Sequence, residues 1–292
     1  GIAIIQTPAA HRGPDSGVAV VKQAKILQTS GLFRFAEPDY VLSTEVTEPN
    51  DEALSNGWLW GLHNTGQMSG ISGIDIDALK AWDTTTGSHN VTVAVIDTGI
   101  RATHADLKSN LWINTDEVAD NDVDDDNDGF IDNIYGMDAI NDDGDPFDDN
   151  GHGTHVAGTI GANANDGNVH VGVAWKVKLM ACKFLDQNGN GYMSGAVRSI
   201  NFAVANGARI LNCSWGSFGN SQALYDVMKD ARDAGVIIVC AAGNSGLNTD
   251  TFPHTPSAFD LDNIISVAAV NNRGQLASWS NYGQGSVDLG AP

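Results

Sequence analysis

Basic residues are scarce in this chain. Fifteen Lys and Arg face 36 Asp and Glu, for a net charge of −21. Binding a phosphate backbone needs clustered Lys and Arg, so nucleic acid is excluded as a partner class. Long apolar runs are missing too. No stretch approaches the roughly 18–20 apolar residues that cross a bilayer, so no membrane partner is expected. No basic segment precedes Ile2-Ala3-Ile4-Ile5, and no signal peptide is legible there. Cysteine is limited to Cys182, Cys213 and Cys240. An odd number at wide spacing makes no disulfide framework. Each lies in an apolar run, so all three are expected as buried free thiols acting as small hydrophobes. Neither G-x-G-x-x-G nor G-x-x-x-x-G-K-[ST] occurs, which argues against a nucleotide-binding α/β protein.

What is present suffices for a sizeable core: 292 residues, 42% of them hydrophobic. Helical periodicity runs over Val18–Ser30, and Leu32–Phe35 reads as a strand. Glu37 to Asp51 is a polar linker. From about residue 90 the pattern is strand then helix, repeated. Strands are expected at Val91–Ile96, Val177–Leu185, Ile210–Trp215, Val236–Ala241 and Ile264–Val270. Helices are expected at Gly153–Ala162, Ser194–Asn206 and Gln222–Ala234. Apolar strands separated by helices imply an α/β fold in three layers, with a mostly parallel central sheet covered on both faces. Ligands in such folds sit at the carboxyl ends of strands.

Three strings fall at those ends. Asp97 closes the strand in Val95-Ile96-Asp97-Thr98-Gly99, where it serves either a site or the cap of the next turn. His152 lies in Asn150-Gly151-His152-Gly153-Thr154-His155-Val156-Ala157-Gly158-Thr159. Flanking glycines leave its imidazole open to close approach. The pair His152 and His155 could suggest a metal, but the His-Glu-x-x-His pattern is not there. Asn244 follows an apolar strand in Ala241-Ala242-Gly243-Asn244-Ser245-Gly246, which alone reads equally as an ordinary turn.

Together, and in this order, the strings resemble the subtilisin-like serine proteases, over about Asn50 to Pro292. The resemblance implies a subtilisin-like fold and a serine endopeptidase acting on protein or peptide substrates. In it Asp97 orients the imidazole, His152 is general base and then acid, and Asn244 donates to the oxyanion. His155 is implied to be structural. Leu211-Asn212-Cys213-Ser214-Trp215-Gly216 resembles the substrate-binding strand. Ser214, Trp215 and Gly216 would pair with the peptide, and Ala241 and Gly243 would help wall the P1 pocket. Apolar walls favour a large hydrophobic side chain at P1, and the resemblance implies broad specificity.

The family's nucleophile lies in a Gly-Thr-Ser-Met-Ala-x-Pro string, and the sequence contains none. Val287–Pro292 resembles a segment upstream of it. The expectation is therefore that the serine lies on further sequence and that this chain alone is inactive. Ser280 resembles a structural segment. Residues 1–48 resemble the C-terminal part of an inhibitory propeptide plus linker, with Phe33–Leu42 near its end, and 49–292 an incomplete peptidase domain. Zymogen behaviour and secretion follow from the same resemblance. The rival reading is a subtilase-fold pseudoprotease that binds peptides without cutting them.

Acid is concentrated in one place. Between Asp116 and Asp149 there are fifteen Asp or Glu and no Lys or Arg. Within it, Asp124 to Asp132 reads D-x-D-x-D-G-x-x-D, the first half of an EF-hand loop. Asp124, Asp126, Asp128 and Asp132 would bind calcium by side chain and Phe130 by its carbonyl. The twelfth position is Tyr135 where an EF-hand has Glu; the other reading is a solvated acidic loop. The family resemblance implies two more calcium sites. One has Asp51, Asp106 and Asn165, helped by carbonyls in 163–170, and the other Asp138 and Asp143.

Overall fold

The structure is a computed structural model that describes residues 16–38 and 47–292, with only the backbone for 16–19. The chain divides into two compact units, Gly1–Glu45 and Val46–Pro292. In the first, helix α1 spans Ser16–Thr29. Leu32–Phe35 is not a strand but a bend running into irregular chain. A strand needs a ladder partner, and none pairs with it among the described residues. The Phe33–Leu42 string lies outside the described residues from Asp39 onward.

The second unit opens with two short helices, α2 (Glu52–Ser55) and α3 (Ala78–Trp82). Strand β1 (Gly87–Asp97) follows, then β2 (Gly136–Asp138) and helix α4 (His152–Gly161). The remainder alternates: β3 (Lys176–Lys183), α5 (Met193–Ala205), β4 (Ile210–Cys213), α6 (Gln222–Asp233), β5 (Ile237–Ala241), β6 (Ile264–Ala269) and β7 (Leu289–Ala291). Within this unit the expected strands and helices are all present, most of them displaced at an end by a residue or two. The strands β2 and β7, three residues each, carry too little pattern to be read from sequence.

All seven strands form one parallel sheet in the order β2-β3-β1-β4-β5-β6-β7. The chain leaves β1 on one side to build β2 and β3, then crosses to build β4 to β7 on the other. The carboxyl end of β1 thus lies where the strand order reverses, the usual place for a site in an open parallel sheet.

Two apolar layers explain the sheet's burial. Alternate residues of β1 and β3 point to opposite faces. Ala94, Ile96, Met180 and Cys182 pack with Ile200 of α5 and Leu224 and Met228 of α6. Val93, Val95, Leu179 and Ala181 pack with Ala157 of α4. Burying a Val, Ile, Leu or Met side chain contributes about 1.5–3 kcal/mol, so these layers fix the strand order. Cys182, Cys213 and Cys240 are buried and free, as expected.

Helix α4 packs closely because it is built from small residues. A side chain on Gly153 would collide with the Gly99 carbonyl and lie 3.2 Å from Asp97 Cβ. Only glycine lets the helix start touch the end of β1, and this contact brings His152 to Asp97.

Candidate active site

Asp97 ends β1 with its side chain fully buried. Its Oδ1 lies 2.7 Å from Nδ1 of His152 and also accepts the Thr98 amide at 2.7 Å. Half of the His152 side chain is exposed. The hydrogen bond to Asp97 raises the His152 pKa. Burial opposes this, and the charges of Asp97 and Asp148 add to the rise. With Nδ1 committed to a carboxylate, the His152–His155 pair makes no metal site through that nitrogen. His155 is exposed one turn further on.

Sequence reasoning missed Asp148, which joins the two segments. It is fully buried. Its Oδ1 accepts from Thr98 Oγ1 at 2.8 Å and from the Asn150 and Gly151 amides at 3.0 and 2.8 Å. Its Oδ2 accepts from the Thr154 amide at 2.9 Å and from the Thr154 hydroxyl at 2.5 Å. Burial pushes its pKa up, but these donors outweigh burial and hold it below the ordinary value. Thr98 Oγ1 in turn accepts the Gly153 amide at 2.9 Å. The end of β1 and the start of α4 are thereby locked together around one carboxylate.

Lys183, at the end of β3, adds a second lock. It is 1% exposed. Its Nζ donates to the carbonyls of Thr98 and Leu185 at 2.9 and 2.8 Å and to Asp149 at 2.8 Å. Neither Asp148 nor Lys183 has a local pattern that sets it apart; each matters through partners far along the chain.

Asn244 sits on the turn after β5 and is exposed. Asn281 shapes that turn. Its Oδ1 accepts from the Ser245 and Leu247 amides at 3.0 and 3.1 Å, and its Nδ2 donates to the Ala242 carbonyl at 2.8 Å. Ser280 beside it is buried, with Oγ accepting the Ala269 amide and donating to the Asn281 carbonyl. That hydroxyl is engaged in backbone bonds. Ser214, Trp215 and Gly216 run on from β4 and have no ladder partner among the described residues. Trp215 packs edge-on against Phe184 at 4.8 Å. Ala241 ends β5 and Gly243 follows in its turn. These two segments leave neighbouring parallel strands, since Cys213 and Cys240 are in register.

The acidic residues fall into three groups. In the 124–132 loop the converging carboxylates are Asp124, Asp126 and, unforeseen, Glu117, with oxygens within 4.8 Å of one another. Glu117 is buried and also accepts the amides of Asp125, Asp126 and Asp132. Asp128 adjoins them and accepts from the Phe130 amide and Asn133. Burial raises its pKa. The Asp132 oxygens take the amides of Asn121 and Asp122, while the Phe130 ring sits in the core against Phe202.

In the second group Asp51 and Asp106 are 1% and 7% exposed, and each keeps one buried oxygen with no hydrogen-bond partner among the described residues. Burial raises both pKa values. Asp51 Oδ2 accepts the Asn165 amide at 2.9 Å, and Asn165 Oδ1 accepts the Asn50 amide at 2.9 Å. Orphaned buried carboxylate oxygens are costly, and a hard cation with oxygen ligands removes that cost. Donor type and unmet valence both fit calcium. In the third group Asp138 and Asp143 pair through their backbones at 2.9 and 3.2 Å. Both Asp138 oxygens are already hydrogen-bonded, to Ile140 and Asn141.

Comparison with known proteins gives one answer throughout. The Peptidase_S8 model, which describes the subtilase family, matches residues 88–292. The thermophilic serine proteinase of Bacillus sp. (strain AK1) is 35% identical over 268 residues, covering 92% of this chain and 57% of that protein. An extracellular protease of Xanthomonas campestris pv. campestris is 34% identical over 272 residues, covering 88% of this chain and 44% of that protein. The chain thus spans about half the length of these two relatives. The crystal structure of a cold adapted subtilisin-like serine proteinase superposes with a TM-score of 0.60 at 28% identity, covering 80% of this chain and 72% of that one.

Proposed function

The chain belongs to the subtilase family, and on that premise we propose that it carries most of the catalytic apparatus of a serine endopeptidase. The observation that carries this reading is the 2.7 Å bond between buried Asp97 and half-exposed His152 at the sheet's carboxyl edge. Asp97 fixes the imidazole tautomer and stabilises the imidazolium. His152 removes the proton from a serine hydroxyl as it attacks the scissile carbonyl, then gives that proton to the leaving amine. The Asn244 amide donates to the oxyanion that forms. Removing the corresponding donor in subtilisin costs about 10²–10³ in kcat, a scale taken over from that relative.

The serine is contributed by sequence outside these 292 residues, since no Gly-Thr-Ser-Met string occurs in them. Substrate peptide lies as an added strand along Ser214–Gly216, with a hydrophobic P1 residue between that segment and Ala241–Gly243. Calcium is held by Asp51, Asp106 and Asn165, and by Asp124, Asp126, Asp128, Asp132 and the Phe130 carbonyl, joined by Glu117. Asp138 and Asp143 are the weakest of the proposed ligand pairs. Bound calcium supplies charge that neutralises these clusters; it takes no part in the acyl transfer. Residues 1–48 act as the end of an inhibitory propeptide. Secretion is proposed because relatives include proteins named extracellular, and no described helix is long and apolar enough to cross a membrane.

A fluorophosphonate probe tests the reading. The full-length protein should label at one serine, and the 292-residue chain alone should not. Labelling of the short chain would refute the assignment of the serine elsewhere. No labelling of the full-length protein would leave the pseudoprotease.

The pH profile is a further test. His152 acts as a base only when neutral, and its pKa lies above the ordinary 6.5. Activity is therefore lost as pH falls through that raised value. The acid limb of kcat/KM should lie above pH 6.5 and drop about tenfold per unit below it. An acid limb at lower pH would contradict the Asp97 bond as the dominant influence.

A further inference from the structure

Two glycines of the proposed substrate slot face the same imidazole. A methyl group placed on Gly216 would collide with Cε1 of His254 and lie 2.9 Å from its Nδ1. One placed on Gly243 would lie 3.0 Å from both Cε1 and Nε2 of that ring. The ring thus fills the space beside Gly216 and shares the space beside Gly243 with the side-chain amide of Asn281. A gap bounded by two glycines would otherwise admit a broad, flat side chain.

His254 is firmly placed. It is 7% exposed. The next residue, Thr255, exchanges backbone hydrogen bonds with Ser217 at 2.8 and 2.9 Å, one position beyond Gly216. The His254 carbonyl accepts the Ala258 amide at 2.9 Å and the Ser257 hydroxyl at 2.7 Å. Phe218 packs edge-on against the ring at 5.3 Å. The Ser257 hydroxyl stands 3.5 Å from Nδ1, too far for a strong bond. Burial lowers the His254 pKa, which keeps the ring neutral and compatible with apolar surroundings.

We propose that His254 is a plug in the P1 pocket, which restricts cleavage to sites after small apolar residues of about alanine size and disfavours aromatic ones. The proposal rests on reading Ser214–Gly216 and Ala241–Gly243 as the pocket walls. It departs from the large P1 side chain that the apolar walls alone favour. An aromatic P1 group could enter only by turning the imidazole out of its packing against Phe218, while the backbone of 254–255 stays pinned. Differences of a few methylenes in an apolar pocket change kcat/KM by about 10–200-fold.

The test uses the full-length protease and peptide p-nitroanilides that differ only at P1, as Ala, Leu or Phe. The wild type should favour Ala over Phe by at least about tenfold in kcat/KM. His254→Gly and His254→Ala should each raise the Phe-to-Ala ratio by about 10–100-fold. A wild type that prefers Phe overturns the plug, and so do well-folded variants with an unchanged ratio. The wild-type ratio decides the matter even where a variant fails to fold. If none of the three substrates is cleaved, the peptidase reading itself falls and this proposal with it; cleavage with the wrong ratio sinks this proposal alone.

Discussion

Replacing Asp97 by Asn should lower kcat of the full-length protease by about 10⁴-fold with little change in KM; the scale is that of triad aspartates in related chemistry, subtilisin included. The reason is local. Oδ1 of Asp97 takes the proton on Nδ1 of His152 at 2.7 Å, which leaves Nε2 as the lone-pair nitrogen. An Asn amide there can donate to Nδ1 and so favours the opposite tautomer, with the proton on Nε2. The base is then blocked although the geometry survives. The expected split, kcat falling while KM holds, separates this from a folding defect, which would lower the active fraction and the melting temperature together. A loss below tenfold would show that Asp97 does not set the imidazole. The corresponding change at Asp148 should act more gently, because Asp148 makes no hydrogen bond to the His152 ring and acts on it through its charge and through Thr98, Asn150, Gly151 and Thr154.

Chelating calcium from the protein should lower its Tm by about 10 °C. Asp51 and Asp106 each bury one oxygen without a partner among the described residues. Leaving a buried polar group unsatisfied costs about 1–3 kcal/mol, and more when it is charged. Two such groups come to about 4 kcal/mol, and in a domain of this size each kcal/mol shifts Tm by about 2–4 °C. Binding to the folded state alone recovers that cost by mass action. Differential scanning calorimetry with and without chelator measures the shift, and Asp106→Asn should shrink it. An unchanged Tm on chelation would rule out calcium as the answer to these orphaned oxygens.

Much of the candidate site was legible because its residues lie in short strings. Asp97 follows an apolar run, His152 lies between glycines, and Asn244 closes another apolar run; each of these is a local signal. The parallel sheet was legible for the same reason, since five of its strands are near-continuous apolar runs bounded by helices. The 124–132 loop announced itself through alternating carboxylates. Leu32–Phe35 shows the limit of such reading. Its composition suits a strand, but composition supplies no neighbour to hydrogen-bond with.

The sequence by itself determined which residues are candidates for the chemistry and which segments bury themselves, because both depend on side-chain type and short-range periodicity. Only the tertiary structure decided what those residues meet. Glu117 converges with Asp124 and Asp126 from outside the EF-hand-like string. Asp148 and Lys183 bind the ends of β1, β3 and α4 into one frame. Asn281 shapes the turn that carries Asn244, and His254 fills the gap beside Gly216 and part of that beside Gly243. Each of these is an encounter between positions separated along the chain and brought together by sheet order and packing. No local pattern encodes such an encounter, because its energy comes from burial and from hydrogen bonds that exist only once the sheet has formed.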